Sequence, residues 1–137
     1  MRYIGLDLGS RRLGISMSDK TGLIASSYKV ITHNEEYDKL VDEIVNIVKE
    51  NNVDGIVLGL PKNMNNTMGE KANLSMDFKS KLESVIDVPI YLEDERLSTV
   101  EAHNVMISEG ARRDKRKEKV DAVAATIILQ RFLDRRS

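Results

Sequence analysis

The chain of 137 residues alternates short apolar runs with longer segments of helical periodicity. The apolar runs predict five strands, at residues 2–8, 13–18, 23–31, 53–61 and 88–96. Short turns, among them "DKTG", separate the first three strands, which predicts an antiparallel meander. The last two runs are almost continuously apolar, which is typical of strands covered on both faces.

Four helices are predicted around these later strands. Apolar residues at helical spacing from Tyr37 to Val48 predict the first helix. Thr67 and Glu70 have the spacing of a capping box and predict the start of the second. A further capping box predicts a helix from about 99 to Gly110, and a last helix is predicted over 115–134. The order β-β-β-α-β-α-β-α-α predicts one α/β domain over residues 1–137, built on a mixed sheet with right-handed crossovers.

Composition narrows the possible functions. The net charge is −1 and the sequence has no cysteine, so disulfides, thiolate zinc sites and thiol nucleophiles are excluded. The two histidines, His33 and His103, do not have zinc-site spacing. No apolar run reaches the roughly 20 residues of a membrane span. We therefore expect a cytoplasmic protein without a membrane partner, in which any basic surface is local.

Asp7 lies inside the most apolar run of the chain. A carboxylate removed from water costs several kcal/mol unless it is paired, hydrogen-bonded or bound to a metal ion. Strand alternation places Gly5 and Gly9 on the same face as Asp7, and Gly14 and Ser16 share a face of the next strand. If these faces coincide, Asp7 stands over small residues with room for an ion and a substrate. The alternative is an aspartate that caps a turn at a strand end.

Two other segments carry candidate acids. Glu95, in "EDER", follows a buried strand at the end where ligands bind in open α/β sheets. A solvated strand end is the alternative. Asp121 has alanines at i+3 and i+4 and Ile128 at i+7, which predicts that it faces the sheet. The alternative is an acid that favours the N-terminal end of a helix.

Three acids on the core side of one sheet repel one another unless cations bind between them. Oxygen ligands without Cys or His favour Mg²⁺ or Mn²⁺. Two such ions are a common arrangement for in-line displacement at phosphorus. We therefore predict that Asp7, Glu95 and Asp121 are both catalytic residues and metal ligands, provided that the three side chains converge.

Four segments in order resemble the YqgF family, also called RuvX: "GLDLGSRRLGISMSD", "VLGLP", "DERLSTVEA" and "KVDAVAATIILQRFL". The resemblance implies a ribonuclease H-like fold with strand order 3-2-1-4-5, strand 2 being antiparallel to the rest. It also implies a nuclease that processes the 5′ end of pre-16S rRNA or resolves Holliday junctions. The acids of the family map onto Asp7, Glu95 and Asp121. Two features differ from the family pattern: Ser16 stands where the family commonly has Ala, and the loop "PKNMNNTMGEKA" is richer in Asn.

The segment "RRDKRKEK", residues 112–119, has six basic and two acidic residues and leads directly to Asp121. We expect it to connect the last two helices and to contact phosphates, although a solvated loop is the alternative. Because aromatic residues are few, we expect recognition of backbone and shape rather than base stacking. The predicted nucleic-acid-binding residues are Arg11, Arg12, Arg96, Arg112, Arg113, Lys115, Arg116 and Lys117.

The sequence thus predicts a metal-dependent nuclease that hydrolyses phosphodiester bonds in structured nucleic acid, with the 5′ end of pre-16S rRNA as the favoured substrate. Branched DNA is an alternative substrate. A non-catalytic nucleic-acid-binding factor with the same fold is a second alternative. An actin-like ATP-binding domain is a third, because "GLDLGS" also fits a phosphate loop, but that class needs two domains. The oligomeric state, monomer or homodimer, is left open.

Overall fold

The computed structural model describes residues 1–61, 69–94 and 113–136, and for 113–121 it describes the backbone alone. Five strands are present in this part of the chain: β1 (Tyr3–Leu8), β2 (Arg12–Ser18), β3 (Ala25–Thr32), β4 (Gly55–Leu60) and β5 (Ile90–Asp94). The helices described are α1 (Tyr37–Asn51), α2 (Glu70–Glu83) and α3 (Arg113–Arg136). None of the helices described is both long enough and apolar enough to cross a membrane.

The five strands form one mixed sheet in the order β3-β2-β1-β4-β5. β2 is antiparallel to both of its neighbours, whereas β1, β4 and β5 are parallel to one another. This topology confirms the predicted ribonuclease H-like order and the antiparallel second strand. It places β1 at the centre of the sheet, where it is paired on both sides.

One face of the sheet packs against α1 and α2. Strand alternation directs Ile4, Leu6 and Leu8 of β1 to this face, and all three are buried. They join one continuous apolar cluster with residues of both helices, among them Ile44 and Phe78. Full burial of each such side chain contributes about 1.5–3 kcal/mol to folding, so this face supplies most of the hydrophobic stabilisation.

The opposite face packs against α3 and has a smaller apolar cluster. Tyr3 of β1 and Val57 of β4 contact the C-terminal half of α3 there. The apolar residues that α3 contributes are Ile128, Leu129, Phe132 and Leu133. Asp7 is on this face, because side chains two residues apart point the same way.

Two predictions about local structure were wrong. α2 begins at Glu70 with Gly69 as its N-cap, so Glu70 is the first helical residue and not the third residue of a capping box. α3 begins at Arg113, which makes 113–119 helical and not a connecting loop. Arg, Lys and Glu are good helix formers, and extending an existing helix avoids a new nucleation cost. Thr67 and the predicted helix from 99 to 110 lie outside the described residues.

Candidate active site

Asp7 lies near the carboxyl end of β1, where its side chain is half-buried. Its direct partner across the antiparallel pair is Gly14, and the next pair on the same face is Gly5 with Ser16. The register therefore confirms that the small residues of β1 and β2 share the face of Asp7. It brings a carboxylate to the centre of the sheet, next to residues with little or no side chain.

The small residues also have a function that the sequence did not predict. A Cβ atom at Gly5 would lie 2.8 Å from the Cβ of Leu129 and 2.9 Å from the Ala125 carbonyl oxygen. The Ser16 hydroxyl donates a hydrogen bond of 2.7 Å to that same carbonyl. The space at Gly5 is therefore filled by α3, so the prediction of open room for an ion was wrong at this position. Small side chains here allow the helix to approach the sheet closely.

The contacts of α3 define its direction across the sheet. Ala125 lies at Gly5, whereas the Phe132 ring meets the Tyr3 ring edge-on at 5.4 Å. The C-terminal part of α3 therefore lies at the Tyr3 end of β1, and the helix leads toward the Asp7 end as it is followed back to its N-terminus. Asp121 precedes Ala125 by one helical turn, on the same side of the helix. This places the backbone of Asp121 toward the strand end that carries Asp7, although its side chain lies outside the described part.

The start of α3 carries most of the predicted basic segment. The 12 residues from Arg113 to Ala125 span about 18 Å at 1.5 Å per residue, so the first turns of α3 lie well away from the contact with Gly5. These turns include Arg113, Lys115, Arg116 and Lys117. The side chains of these four residues lie outside the described part of the chain, and so do Arg96 and Arg112.

β5 presents Glu93 to the same face as Asp7. The Tyr91 ring lies 4.9 Å from the Phe132 ring of α3, and two residues later Glu93 forms an ion pair with Arg135. Glu93 is only 6% exposed, and its strand partner is Gly59 of β4. Burial raises the pKa of Glu93, while the neighbouring Arg135 guanidinium opposes that rise. The sequence showed its position at a strand end but not its burial or its partner.

The turn after β1 presents two arginines. Arg11 is exposed, and Arg12 is half-buried at the start of β2. They border a surface depression of about 580 Å³. Its lining residues are Ser10, Arg11, Arg12, Thr32, His33, Asn34 and Glu35. The depression is thus a partly basic surface, and three of its lining residues follow Asp7 by three to five positions in the sequence.

His33 connects this turn to the segment before α1. One ring nitrogen, Nε2, lies 2.8 Å from the Gly9 carbonyl oxygen, to which it donates a hydrogen bond. The other, Nδ1, accepts a hydrogen bond of 3.1 Å from the Glu35 amide. The backbone amide of His33 donates to the Arg11 carbonyl at 2.8 Å. Sequence reasoning missed this residue, because a lone histidine after a strand carries no local signal.

The structure does not test the convergence of the three acids. Glu95 and the side chain of Asp121 lie outside the described residues. Within the part that is described, no group of three acidic or histidine side chains is close enough to hold a metal ion. The assignment of Asp7, Glu95 and Asp121 as metal ligands stays a prediction, supported by the position of Asp7 and by the path of α3.

Comparison with known proteins identifies the family. The sequence model of "RuvX: Holliday junction resolvase" matches residues 1–135. A relative from Leuconostoc mesenteroides, named "Putative pre-16S rRNA nuclease", is 44% identical over 136 residues, which cover 98% of this chain and 95% of the relative. A relative of the same name from Streptococcus thermophilus is 42% identical, with coverage of 98% and 99%.

Solved structures agree on the fold. RuvC of Thermus thermophilus in complex with a Holliday junction substrate superposes with a TM-score of 0.63 at 14% identity, covering 99% of this chain and 95% of that one. The fowlpox virus resolvase in complex with Holliday junction DNA gives a TM-score of 0.56 at 12% identity, with 98% coverage of both chains. Together with the whole-chain match of the sequence, this shows that the protein belongs to the RuvX family of nucleases.

Proposed function

We propose that this chain is a metal-dependent nuclease, acting as one domain over residues 1–137, that hydrolyses phosphodiester bonds in structured nucleic acid. The substrate we propose is the 5′ end of pre-16S rRNA, in the cytoplasm, as the names of the relatives suggest. The observation that carries the proposal is the close contact of α3 with Gly5 and Ser16. This contact directs the backbone of Asp121 toward the strand end that carries Asp7.

The proposed metal ligands are Asp7, Glu95 and Asp121. Their donor atoms are all carboxylate oxygens, which fit Mg²⁺ or Mn²⁺ and not a soft transition metal. When bound, two such ions stabilise the negative charge on the attacking and leaving oxygens of an in-line displacement at phosphorus. Asp7 alone would not suffice for such a site, because one carboxylate does not hold two divalent ions.

The chain itself contributes rigid positions for these acids. Asp7 is on a central strand whose pairing with β2 continues through Asp7 to Leu8, so its backbone is held on that side. Glu93 already faces α3 through its ion pair with Arg135. In an extended chain, Glu95 would follow on the same face, because it is two residues further along. Rigid elements would thus hold carboxylates around one place without any large rearrangement.

The nucleic acid would bind along the basic residues at this edge of the sheet. We propose that Arg11, Arg12 and Arg96 contact phosphates next to the cleaved bond, together with the basic segment 112–117. Because residues 113–117 belong to α3, they would be presented at the fixed spacing of a helix. Such contacts set position and orientation rather than sequence.

Branched DNA is the second candidate substrate. The description of the family model favours it, since that description is Holliday junction resolvase. The two substrates share the phosphodiester chemistry and differ in shape and in the sugar. A direct comparison of both under the same conditions therefore decides between them.

The test uses purified protein with Mg²⁺ or Mn²⁺ and two labelled substrates, a pre-16S rRNA fragment and a four-way DNA junction. We expect cleavage of the RNA by the wild type and no detectable cleavage by Asp7→Asn, which keeps the size of the side chain and removes its charge. The control is Asp42→Asn on the exposed surface of α1, which should cleave normally.

Unchanged cleavage by Asp7→Asn would contradict the proposed site. Cleavage of the junction alone would make branched DNA the substrate. If the wild type binds both substrates and cleaves neither, the protein is the non-catalytic binding factor.

A further inference from the structure

His33 uses every hydrogen-bonding group of its ring and backbone amide to hold nearby main chain. The Gly9 carbonyl can only accept a hydrogen bond and the Glu35 amide can only donate one. Their positions therefore require the neutral ring with its proton on Nε2. The ring also lies against Tyr37 of α1, with 5.6 Å between the ring centres. The imidazole is thus fixed on both edges and on one face.

The segment held by His33 is the tight turn from Gly9 to Arg12. The Gly9 amide donates to the Arg12 carbonyl at 2.8 Å, and the His33 amide donates to the Arg11 carbonyl at the same distance. A Cβ atom at Gly9 would lie 3.0 Å from the Arg12 carbonyl oxygen, so a larger residue here would require the turn to shift by a few tenths of an ångström. Residue 33 therefore contacts the turn at two points, once through its ring and once through its backbone.

The backbone position of Asp7 does not depend on the hydrogen bonds of His33. The pairing of β1 with β2 continues through Asp7 with Gly14 and Leu8 with Leu13. The ladder thus fixes the backbone at the proposed metal ligand, whereas Gly9 to Arg11 lies beyond it. Loss of the His33 ring bonds should therefore change the position of Arg11 and leave Asp7 in place.

We infer that His33 is a positioning residue for substrate binding: it holds the Gly9–Arg12 turn so that Arg11 meets a phosphate of the nucleic-acid backbone in the depression that this turn borders. The inference rests on the proposed function, since it assumes that the substrate is a nucleic acid. Within the described residues, Arg11 is exposed and forms no ion pair, so its guanidinium is available for a phosphate. Ser10, Thr32 and Asn34 line the same depression with further polar groups.

The test compares variants that keep different hydrogen bonds of the histidine ring. His33→Gln places an amide nitrogen near the position of Nε2 and keeps the bond to Gly9. His33→Asn places an amide oxygen near the position of Nδ1 and keeps the bond from Glu35. His33→Phe keeps the ring against Tyr37 and loses both ring bonds. The Asn and Gln variants are matched in chemistry and differ only in which bond survives.

We expect His33→Phe and His33→Asn to raise KM about 5- to 10-fold, because both lose the hydrogen bond to Gly9 that holds the turn, while kcat stays unchanged. His33→Gln should restore KM to near the wild-type value. A double variant, His33→Phe with Arg11→Ala, should bind no more weakly than Arg11→Ala alone, because the first change acts through the second residue. Thermal unfolding of each variant measures how much of any effect is a loss of fold.

Binding is measured separately from cleavage, with a fluorescein-labelled RNA hairpin and a labelled four-way DNA junction in EDTA. For each probe, Arg11→Ala should lower the slope of log K against log salt by about 0.7–0.9, and His33→Phe should lower it similarly. Equal behaviour of the Gln and Asn variants, or additive losses in the double variant, would overturn the inference. So would a wild type that binds neither probe. If the wild type cleaves neither substrate but the His33 variants still weaken binding as expected, only the nuclease proposal is overturned.

Discussion

The two faces of β1 have opposite compositions. Ile4, Leu6 and Leu8 point to α1 and α2 and are buried in a continuous apolar cluster. The residues between them, Gly5 and Asp7, point to α3, where a glycine and a carboxylate replace the expected apolar side chains. The same six-residue strand therefore stabilises the fold through one face and carries the candidate site on the other.

This difference shows how one strand can separate stability from function. Apolar burial on the α1 and α2 face compensates for the polar and small residues on the α3 face. The close approach of α3 depends on the absence of a side chain at Gly5 and on the hydroxyl of Ser16. We therefore expect substitutions on the first face to change stability alone, and substitutions on the second to change activity as well.

Leu6→Ala should have the largest effect on stability. Leu6 is fully buried, and truncation of a buried leucine costs about 2–5 kcal/mol through lost burial and the cavity left behind. Because Leu6 faces away from α3, kcat of the folded fraction should match the wild type. Urea unfolding and an activity assay at a temperature where the variant is folded measure the two quantities. A large loss of kcat in the folded variant would show that the two faces are not separable.

Gly5→Ala should have a smaller effect on stability and a larger effect on activity. The added methyl group would meet backbone and Cβ atoms of α3 at 2.8–2.9 Å, so the helix must shift away from the sheet. We expect a cost of about 1–3 kcal/mol, typical of overpacking. The shift would move Asp121 relative to Asp7, so kcat should fall even where the variant is fully folded. Normal kcat would mean that the path of α3 does not position the acid.

The predictions from sequence succeeded where the information is local. Period-two alternation gave the face of Asp7, and the length and spacing of the apolar runs gave five strands. The sequence did not reveal why Gly5 is small, because Gly5 contacts Ala125 and Leu129 far along the chain. The pairing of His33 with Gly9 spans 24 residues, and that of Glu93 with Arg135 spans 42. Contacts between distant segments leave no periodic pattern and need the folded structure.

Ser16→Ala tests the second contact on the α3 face. It removes the 2.7 Å hydrogen bond to the Ala125 carbonyl, and the family commonly has alanine here. We expect a loss of about 0.5–1.5 kcal/mol, the net value of one hydrogen bond, with little change in kcat. Differential scanning calorimetry measures the change. A loss as large as that of Gly5→Ala would show that the hydroxyl, and not the glycine, sets the position of α3.

Asp19→Asn should have the smallest effect and should depend on pH. The Asp19 carboxylate accepts hydrogen bonds from the Thr21 hydroxyl and from the Ile24 and Leu23 amides, which lower its pKa to about 2. Since this lies below the unfolded value of about 4, its stabilisation is fully present above pH 4 and is lost as the pH falls through 2. The variant should therefore be less stable than the wild type at pH 7, and the difference should shrink steadily as the pH falls from 4 toward 2.

Urea unfolding across this pH range measures that difference, with Asp42→Asn as the control. Cleavage should be normal in Asp19→Asn, because its turn lies at the opposite end of β2 from Gly14. Loss of cleavage there would mean that the hairpin takes part in substrate binding. A constant difference in stability at every pH would mean that the aspartate acts through packing and not through its charge.

The most direct test of the account is a crystal structure of the protein with Mn²⁺, in which anomalous scattering locates the ions. We expect anomalous density between β1 and α3, with carboxylate oxygens of Asp7, Glu95 and Asp121 as ligands, and its loss in Asp7→Asn. Density elsewhere, or a site that forms without Asp7, would contradict it.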